Sequence, residues 1–219
     1  MKNIKFTVLP IIIFILVFIY YLSINITSNG FINNTILNNE VIVIVGDSRM
    51  ELLERRRNEI SIPYYVEFDA KSGADINWFI EKGIPNLYKI LKNKKHKYKV
   101  IFNLGVNDLN DNINIKNRTY EYYKLYKNIK MNNKNTKFYY LTVNPIDDNN
   151  INIKWKKNIR TNKKIEKFNK YMKSYMEKTN ITYCDSYRNI EFNLPDALHF
   201  DKETDILILD YILNKCIIK

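Results

Sequence analysis

Two short motifs, far apart in the chain, contain the residue types of a serine-based catalytic site. The first is Gly46-Asp47-Ser48 and the second is Asp196-x-x-His199. A serine nucleophile needs a base within hydrogen-bond reach and a third group that orients this base. In a tight turn, Asp196 can hold one ring nitrogen of His199 and leave the other for Ser48. We therefore predict that Ser48 is the nucleophile, His199 the general base and Asp196 the residue that orients His199.

Each motif has a plainer explanation when it is taken alone. A serine or an aspartate just before a helix is commonly an N-cap. The chain has only two histidines, and the other one, His96, lies in the lysine-rich run 92–99, which is typical of a solvated surface. It is the combination of the serine, the acid and the one suitably placed histidine that favours catalysis.

Glycine is scarce, and three of the five glycines follow predicted strands. Each has polar neighbours, in the motifs G-D-S at 46–48, S-G-A at 72–74 and G-V-N-D at 105–108. Glycine lets backbone N–H groups approach a ligand, and ligands of open parallel sheets bind beyond the carboxyl ends of the strands. We expect these three loops to line one site.

The elements that position these motifs can be predicted from hydrophobic periodicity. Short β-branched and aromatic runs predict five strands, at 41–45, 64–68, 98–104, 137–143 and 181–184. Segments with helical spacing lie between and after them, at 49–58, 74–92, 117–131, 158–178 and 202–215. Parallel strands need helical crossovers, so this alternation predicts a three-layer α/β domain with a five-stranded parallel sheet.

The motifs, in this order and at these strand ends, resemble the SGNH (GDSL-type) hydrolase family. The resemblance covers the chain from about Val41 to its end and implies a flavodoxin-like sheet and ester chemistry with the triad named above. It also implies an oxyanion hole made by the N–H groups of Ser48 and Gly73 and the side-chain amide of Asn107. Donors aimed at a developing oxyanion are what acyl transfer requires.

One residue departs from the family pattern. Arg49 follows the serine where many members have leucine or a small residue. Its guanidinium could bind an anionic or carbonyl group of the substrate, or it could pair with Asp47 or Glu51 on the surface. The G-x-S-x-G motif of α/β-hydrolases is absent, which disfavours that other fold.

Other site types are disfavoured by composition. Two histidines and two cysteines without paired spacing effectively exclude a structural zinc site. No G-x-G-x-x-G or G-x-x-x-x-G-K-[ST] loop occurs. We predict no metal and no cofactor.

The first segment of the chain has the pattern of a membrane anchor. Residues 6–24 are nineteen consecutive residues without a charge, which as a helix would span about 28 Å, close to the thickness of a bilayer core. Lys2 and Lys5 precede them, which favours a cytoplasmic N-terminus and an extracytoplasmic domain. We predict an anchor at 1–25, a spacer at 26–40 and the hydrolase-like domain at 41–219, with a cleaved signal peptide as the alternative.

This location affects how the charge and the cysteines are interpreted. The net charge is +12, of which +10 remains after residues 1–30 are removed. Outside the cytoplasm, anionic envelope polymers are plausible partners and nucleic acid is not; a solvated lysine-rich surface is the plainer alternative. A disulfide between Cys184 and Cys216 is permitted there, and two buried free thiols are equally compatible with the sequence.

The substrate is predicted least directly. Trp155 and Trp78 lie in segments that follow strand ends and could stack on a sugar ring, although half-buried packing is the commoner use of tryptophan. The bulk of Arg49, Met50 and residues 75–78 beside Ser48 favours an acetyl group over a long acyl chain.

The predicted function is a membrane-anchored, extracytoplasmic serine esterase that removes a small acyl group from a cell-envelope glycan or another small ester. Three alternatives stay open. They are an O-acyltransferase with the same triad, a lysophospholipase or lipase-type esterase, and a non-catalytic module that binds polyanions.

Overall fold

The computed structural model describes residues 39–63 and 65–218. The predicted anchor and nearly all of the predicted spacer lie outside these residues. Within them, no helix is both long and apolar enough to cross a bilayer.

The centre of the domain is a five-stranded sheet with the order β2-β1-β3-β4-β5. Its strands pair in parallel wherever the register is defined, β1 with β2, β3 with β4 and β4 with β5. This confirms the predicted parallel sheet and places every strand within two residues of its predicted bounds. The strands are β1 (Glu40–Gly46), β2 (Val66–Ala70), β3 (Lys97–Asn103), β4 (Lys137–Leu141) and β5 (Thr182–Cys184).

Helices cover both faces of the sheet. Alternate residues of β1 belong to two separate core clusters, since Val43 and Val45 pack into one and Ile42 and Ile44 into the other. A strand whose side chains are buried on both sides must be covered on both sides, so the three-layer prediction is confirmed. The helices are α1 (Ser48–Arg55), α2 (Arg57–Ile60), α3 (Ile76–Trp78), α4 (Ile84–Ile90), α5 (Ile115–Asn132), α6 (Ile151–Lys154), α7 (Asn162–Met176) and α8 (Lys202–Tyr211).

The helix predicted at 158–178 is α7, and it begins four residues later than expected. Thr161 caps it by accepting a hydrogen bond from the Lys164 N–H, which satisfies a free donor of the first turn. The predicted buried stripe is confirmed, because Ile165, Phe168, Met172 and Met176 are buried and Tyr175 packs partly against them.

Other helical predictions also differ from the structure. The helix predicted at 49–58 is interrupted at Arg56, between α1 and α2. The segment predicted as one helix at 74–92 is divided into α3, a π-helical turn at Phe79–Gly83 and α4. The short helix α6 falls outside the predicted helical segments. Its four residues are too few to show a helical period.

The last element is tied to the edge of the sheet by a disulfide. Cys184 at the end of β5 pairs with Cys216 in the π-helical turn Ile212–Cys216. The sequence left this pairing open, because the distance between two cysteines depends on how the elements between them pack.

Loss of this disulfide should destabilise the domain. The bridge closes a loop between cysteines 32 positions apart, and restricting the unfolded chain in this way contributes about 3–4 kcal/mol. We expect the Cys184→Ser/Cys216→Ser variant to melt roughly 10 °C lower than the wild type. Thermal denaturation with and without a reductant measures this difference. An unchanged melting temperature in both comparisons would contradict the prediction.

A buried carboxyl lies near the end of β2. Asp69 is 7% exposed, its Oδ1 accepts a hydrogen bond from Asn86 at 3.2 Å, and its Oδ2 has no hydrogen-bond partner among the described residues. Burial raises the pKa of Asp69 to about 6, against the opposing effect of the Asn86 hydrogen bond.

Asp69 should make folding stability depend on pH. Because the pKa is higher in the folded state, its protonation stabilises the fold fully below pH 3.8, and this contribution is lost as the pH rises through about 6. Asparagine cannot ionise. We therefore expect the free energy of unfolding of Asp69→Asn, relative to that of the wild type, to increase by about 1–2 kcal/mol as the pH rises from 4 to 8. Denaturation at several pH values tests this, with the exposed Glu67→Gln on the same strand as the control. Parallel profiles for Asp69→Asn and the wild type would count against it.

Candidate active site

Ser48 lies where β1 gives way to α1. Asp47 caps the helix, since its Oδ1 accepts a hydrogen bond from the Arg49 N–H at 3.0 Å, and Ser48 is therefore the first helical residue. The turn is tight, because a Cβ on Gly46 would lie 2.3 Å from Cγ of Met50. Ser48 thus sits at a helix N-terminus, where unsatisfied N–H groups favour negative charge.

His199 and Asp196 lie in the loop before α8. The turn requires a left-handed residue, Ala197, with φ of 70°. One carboxylate oxygen of Asp196 accepts hydrogen bonds from the N–H groups of Leu198 at 2.9 Å and His199 at 2.6 Å. The other oxygen lies 2.7 Å from Nδ1 of His199, so the carboxylate is held by the backbone and in turn holds the ring.

The ring of His199 bridges the two predicted motifs. Its Nε2 lies 2.9 Å from Oγ of Ser48, across 151 positions of sequence. Because the carboxylate accepts a hydrogen bond from Nδ1–H, the lone pair of Nε2 faces the serine hydroxyl. The structure therefore brings the three predicted triad residues together in the order that general-base activation of serine requires.

The pKa of Asp196 reflects competing effects. Burial raises it, but the hydrogen bonds from the His199 amide, the His199 ring and the Leu198 amide outweigh burial and keep the pKa below its ordinary value of 3.8. The group is therefore an anion at neutral pH. An anion at this position stabilises an imidazolium ring.

Two of the three predicted oxyanion residues, Gly73 and Asn107, lie on adjoining loops. Gly73 adopts φ of 77° in the turn after β2, a conformation that disfavours side chains although a Cβ there would meet nothing within 4 Å. Asn107 follows β3, and its Nδ2 donates a hydrogen bond to the carbonyl of Ala74 at 2.9 Å. This bond joins the two loops.

Glu51 holds the turn that carries Gly73. This residue is on α1, and its Oε2 accepts hydrogen bonds from the N–H of Ser72, at 2.6 Å, and from the Ser72 hydroxyl. Arg55 pairs with the other oxygen of Glu51 at 2.8 Å. The helix that begins with Ser48 therefore also fixes the loop predicted to supply the second N–H donor.

Asp108, the last residue of the G-V-N-D motif, is structural. It is buried and accepts hydrogen bonds from Arg118, from the Tyr122 hydroxyl at 2.7 Å and from the Ile76 N–H at 3.3 Å. These partners lie on α5 and at the start of α3, so Asp108 ties both helices to the loop of Asn107.

The predictions for Arg49 need correction. The residue is 2% exposed, and its three guanidinium nitrogens donate to main-chain carbonyls of Leu198 at 3.0 Å, Asn144 at 2.7 Å and Pro145 at 2.9 Å. It is therefore neither a surface ion-pair partner nor a group turned toward substrate. A fork of donors is needed here because the loop of His199 and the loop after β4 both present carbonyls to α1.

Burial also changes the electrostatics of Arg49. Loss of solvent lowers the pKa of the guanidinium to about 10, while Asp47 opposes this shift. Arg49 remains a cation at neutral pH. The side chain stacks over Phe200, with Cζ 4.7 Å from the ring centre.

The two candidate tryptophans have different surroundings. Trp78 packs partly against the core, with its ring 3.0 Å from the position that a Cβ on Gly83 would occupy. Trp155 is 39% exposed, its Nε1 donates to the carbonyl of Asp196 at 2.9 Å, and its ring lies edge-on to His199 with the centres 5.5 Å apart. Only Trp155 is in contact with the triad residues.

Sequence reasoning missed one residue of the site. Arg160 is 8% exposed, and its guanidinium donates to the carbonyl of Val106 and to the side-chain oxygen of Asn107, both at 2.8 Å. No motif marks it, because it lies 53 positions from Asn107 in a lysine- and asparagine-rich loop.

Metal ligands do not cluster in the described part of the chain, where no group of three or more histidine, cysteine, aspartate or glutamate side chains is placed to hold an ion. The site consists of a serine, an imidazole, a carboxylate and amide donors. Such a set can activate a hydroxyl and stabilise an oxyanion.

No protein-family model and no curated protein matches this sequence. Solved structures do match its fold. A GDSL-like lipase from Bacteroides thetaiotaomicron superposes with a TM-score of 0.63 at 16% identity, over 81% of this chain and 86% of that one. A carbohydrate acetylesterase from Sinorhizobium meliloti gives 0.61 at 14% identity, over 80% and 97%.

A third structure is a psychrotrophic esterase from Pseudoalteromonas, inhibited by monoethylphosphonate. Its TM-score is 0.52 at 16% identity, over 80% of this chain and 94% of that one. The fold of this protein is thus that of the GDSL-like lipases and esterases, as the sequence motifs predicted.

Proposed function

We propose that this protein is a serine esterase of the SGNH (GDSL-type) hydrolase family, with Ser48 as nucleophile, His199 as general base and Asp196 as orienting residue. The observation that carries the proposal is the connected chain Ser48 Oγ, His199 and Asp196, with contacts of 2.9 and 2.7 Å. The shared fold of GDSL-like lipases and esterases agrees with it.

The geometry supports a two-step mechanism. Nε2 of His199 takes the hydroxyl proton as Oγ of Ser48 attacks the ester carbonyl carbon. The bond to the leaving alcohol breaks, and the alcohol takes the proton from His199. Water then attacks the acyl group, again with proton transfer through His199, and releases the acid and free Ser48.

The negative oxygen formed in each step needs donors. The N–H groups of Ser48 and Gly73 and the amide of Asn107 are our candidates, on the loops that Asn107 and Ala74 join at 2.9 Å. Asp196 stabilises the imidazolium form of His199 during both steps.

We further propose that the acyl group is small, in the first place acetyl, and that it is carried by a carbohydrate. Trp155 supports this, since its half-exposed ring beside His199 offers a surface on which a sugar could stack. Two structural neighbours are named as an acetyl xylan esterase and a carbohydrate acetylesterase. The bulk of Arg49 and Met50, which the sequence suggested as a reason for a small acyl group, does not support this preference, because both side chains are buried.

The substrate class can be tested with the full chain purified in detergent. We expect hydrolysis of aryl acetates and acetylated glycans, with kcat/KM falling as the acyl chain lengthens to eight carbons. Stoichiometric loss of activity with a phosphonate ester would report an activated serine. A preference for octanoyl esters would favour the lipid-directed alternative, and acyl transfer to an added sugar at the expense of hydrolysis would favour an acyltransferase.

We also propose that the domain is extracytoplasmic and held by residues 1–25 as a membrane anchor. The uncharged run at 6–24 supports an anchor, and the disulfide between Cys184 and Cys216 suits an oxidising compartment. Protease treatment of intact cells should release most of the chain. A soluble mature protein that lacks the first thirty residues would point to a cleaved signal peptide instead.

We also propose that the domain binds anionic envelope polymers, because the net charge beyond residue 30 is +10. This binding should weaken steeply as salt is added, because it would be electrostatic.

A further inference from the structure

We propose that Arg160 is a positioning residue for the oxyanion hole, and that it fixes the side-chain amide of Asn107 with its N–H groups on the side of the Gly73 loop. This inference rests on the proposed esterase function. It concerns which residue orients the Asn107 side chain in the oxyanion hole, and the sequence suggested no residue for this role.

The contact is a buried, charged hydrogen bond. Nη2 of Arg160 donates to Oδ1 of Asn107 at 2.8 Å, and Nε donates to the carbonyl of Val106, also at 2.8 Å. The guanidinium thus binds the side chain of one residue and the backbone of the residue before it, which fixes the rotation of the Asn107 side chain relative to its own main chain.

The orientation of the amide follows from its two neighbours. A guanidinium can only donate hydrogen bonds, so the atom of Asn107 that faces Arg160 must be the oxygen. A main-chain carbonyl can only accept, so the atom that faces Ala74 must be the nitrogen. One N–H is used by Ala74, and the second is left to bind a ligand oxygen beside the turn of Gly73.

Two further hydrogen bonds hold the segment that leads into Arg160. The main-chain N–H of Arg160 donates to the side-chain oxygen of Asn158 at 2.9 Å. The main-chain N–H of Ile159 donates to the side-chain oxygen of Asn110 at 3.1 Å. Residues 158–160 are therefore fastened to the loop that carries Asn107, before α7 begins at Asn162.

The charge of Arg160 adds to its geometric role. Burial lowers the pKa of the guanidinium, and Asp47 opposes this, but arginine stays protonated in proteins. A cation bound to the carbonyl end of an amide polarises it and makes its N–H a stronger donor. The stronger donor should stabilise an oxyanion more than a neutral bound ester. Loss of Arg160 should therefore change kcat more than KM.

A double-mutant cycle with Asn107 tests the proposal. Arg160→Met, which keeps an unbranched although shorter side chain and removes its donors and charge, should lower kcat for an aryl acetate about tenfold to a hundredfold with little change in KM. Asn107→Ala should lower kcat more, and adding Arg160→Met to it should cost less than about twofold further, because Arg160 would then have nothing to position.

Two further variants separate positioning from folding. Arg160→Lys keeps the charge and one donating nitrogen, so we expect its kcat to lie between that of Arg160→Met and the wild type. If Arg160→Met does not fold, Arg160→Lys replaces it in the double-mutant cycle. Arg188→Met, at an exposed arginine, is the matched control and should leave kcat unchanged.

The possible failures can be told apart. If Arg160→Met lowers kcat by the same factor with and without Asn107, its effect is general and the positioning role is wrong. If Ser48→Ala keeps full turnover, the proposed esterase function itself is wrong, whatever the cycle gives.

Discussion

Replacing Ser48 with alanine should reduce turnover of an aryl acetate by about four to six orders of magnitude. In the proposed mechanism the hydroxyl oxygen forms the acyl-enzyme, and alanine would remove the hydroxyl that lies 2.9 Å from Nε2 of His199. The residual rate would come from the oxyanion donors acting on water. Steady-state assays of purified wild type and variant measure this directly.

The three triad residues should behave as one unit. His199→Ala should cost about as much as Ser48→Ala, Asp196→Ala should cost less, and the double variant of Ser48 and His199 should be no worse than either single one. Ser174→Ala, at an exposed serine of α7, is the matched control and should be fully active. Wild-type turnover by Ser48→Ala, free of contaminating esterase, would refute the mechanism.

Outside the proposed triad, replacing Asn107 with alanine should have the largest effect, a fall in kcat of about 10²- to 10³-fold with KM little changed. Its amide N–H is expected to bind the carbonyl oxygen most strongly once that oxygen carries negative charge. The variant also loses the hydrogen bond to Ala74, so the melting temperature should be measured together with kcat.

A control and a second variant make the Asn107 result specific. Asn128→Ala, at an exposed position of α5, should change neither kcat nor stability. Asn107→Asp should be at least as impaired as Asn107→Ala, because a carboxylate would repel the developing oxyanion. Full activity of Asn107→Asp would show that this side chain does not face the oxyanion.

The strands and the core were predictable from the sequence because their signals are local. The run at 41–45 is apolar at every position, which only a strand covered on both faces explains well, and β1 is buried on both faces. The buried stripe of α7 repeats along one helix in the same way. Candidates for a triad could also be named, because a short motif such as Asp196-x-x-His199 closes its own hydrogen bonds within one turn.

Helix bounds were less predictable, because competing contacts set them. Residues 158–160 were predicted as the first turn of a helix, yet they bind to the loop of Asn107 and Asn110, and Thr161 caps a later start. Hydrophobic periodicity does not report such long-range hydrogen bonds, so it cannot show whether they or one more helical turn will form.

The two buried arginines show what only the tertiary structure decided. By sequence, Arg49 was a candidate substrate ligand and Arg160 one basic residue among many. In the fold, Arg49 binds carbonyls of the two loops beside His199, and Arg160 binds the side chain of Asn107. A guanidinium finds partners wherever unpaired acceptors converge, and that convergence depends on the packing of segments far apart in sequence. The sequence alone therefore determined the strands along the chain and the candidates for a triad, whereas long-range packing determined which residues hold those candidates and the candidate oxyanion donors in place.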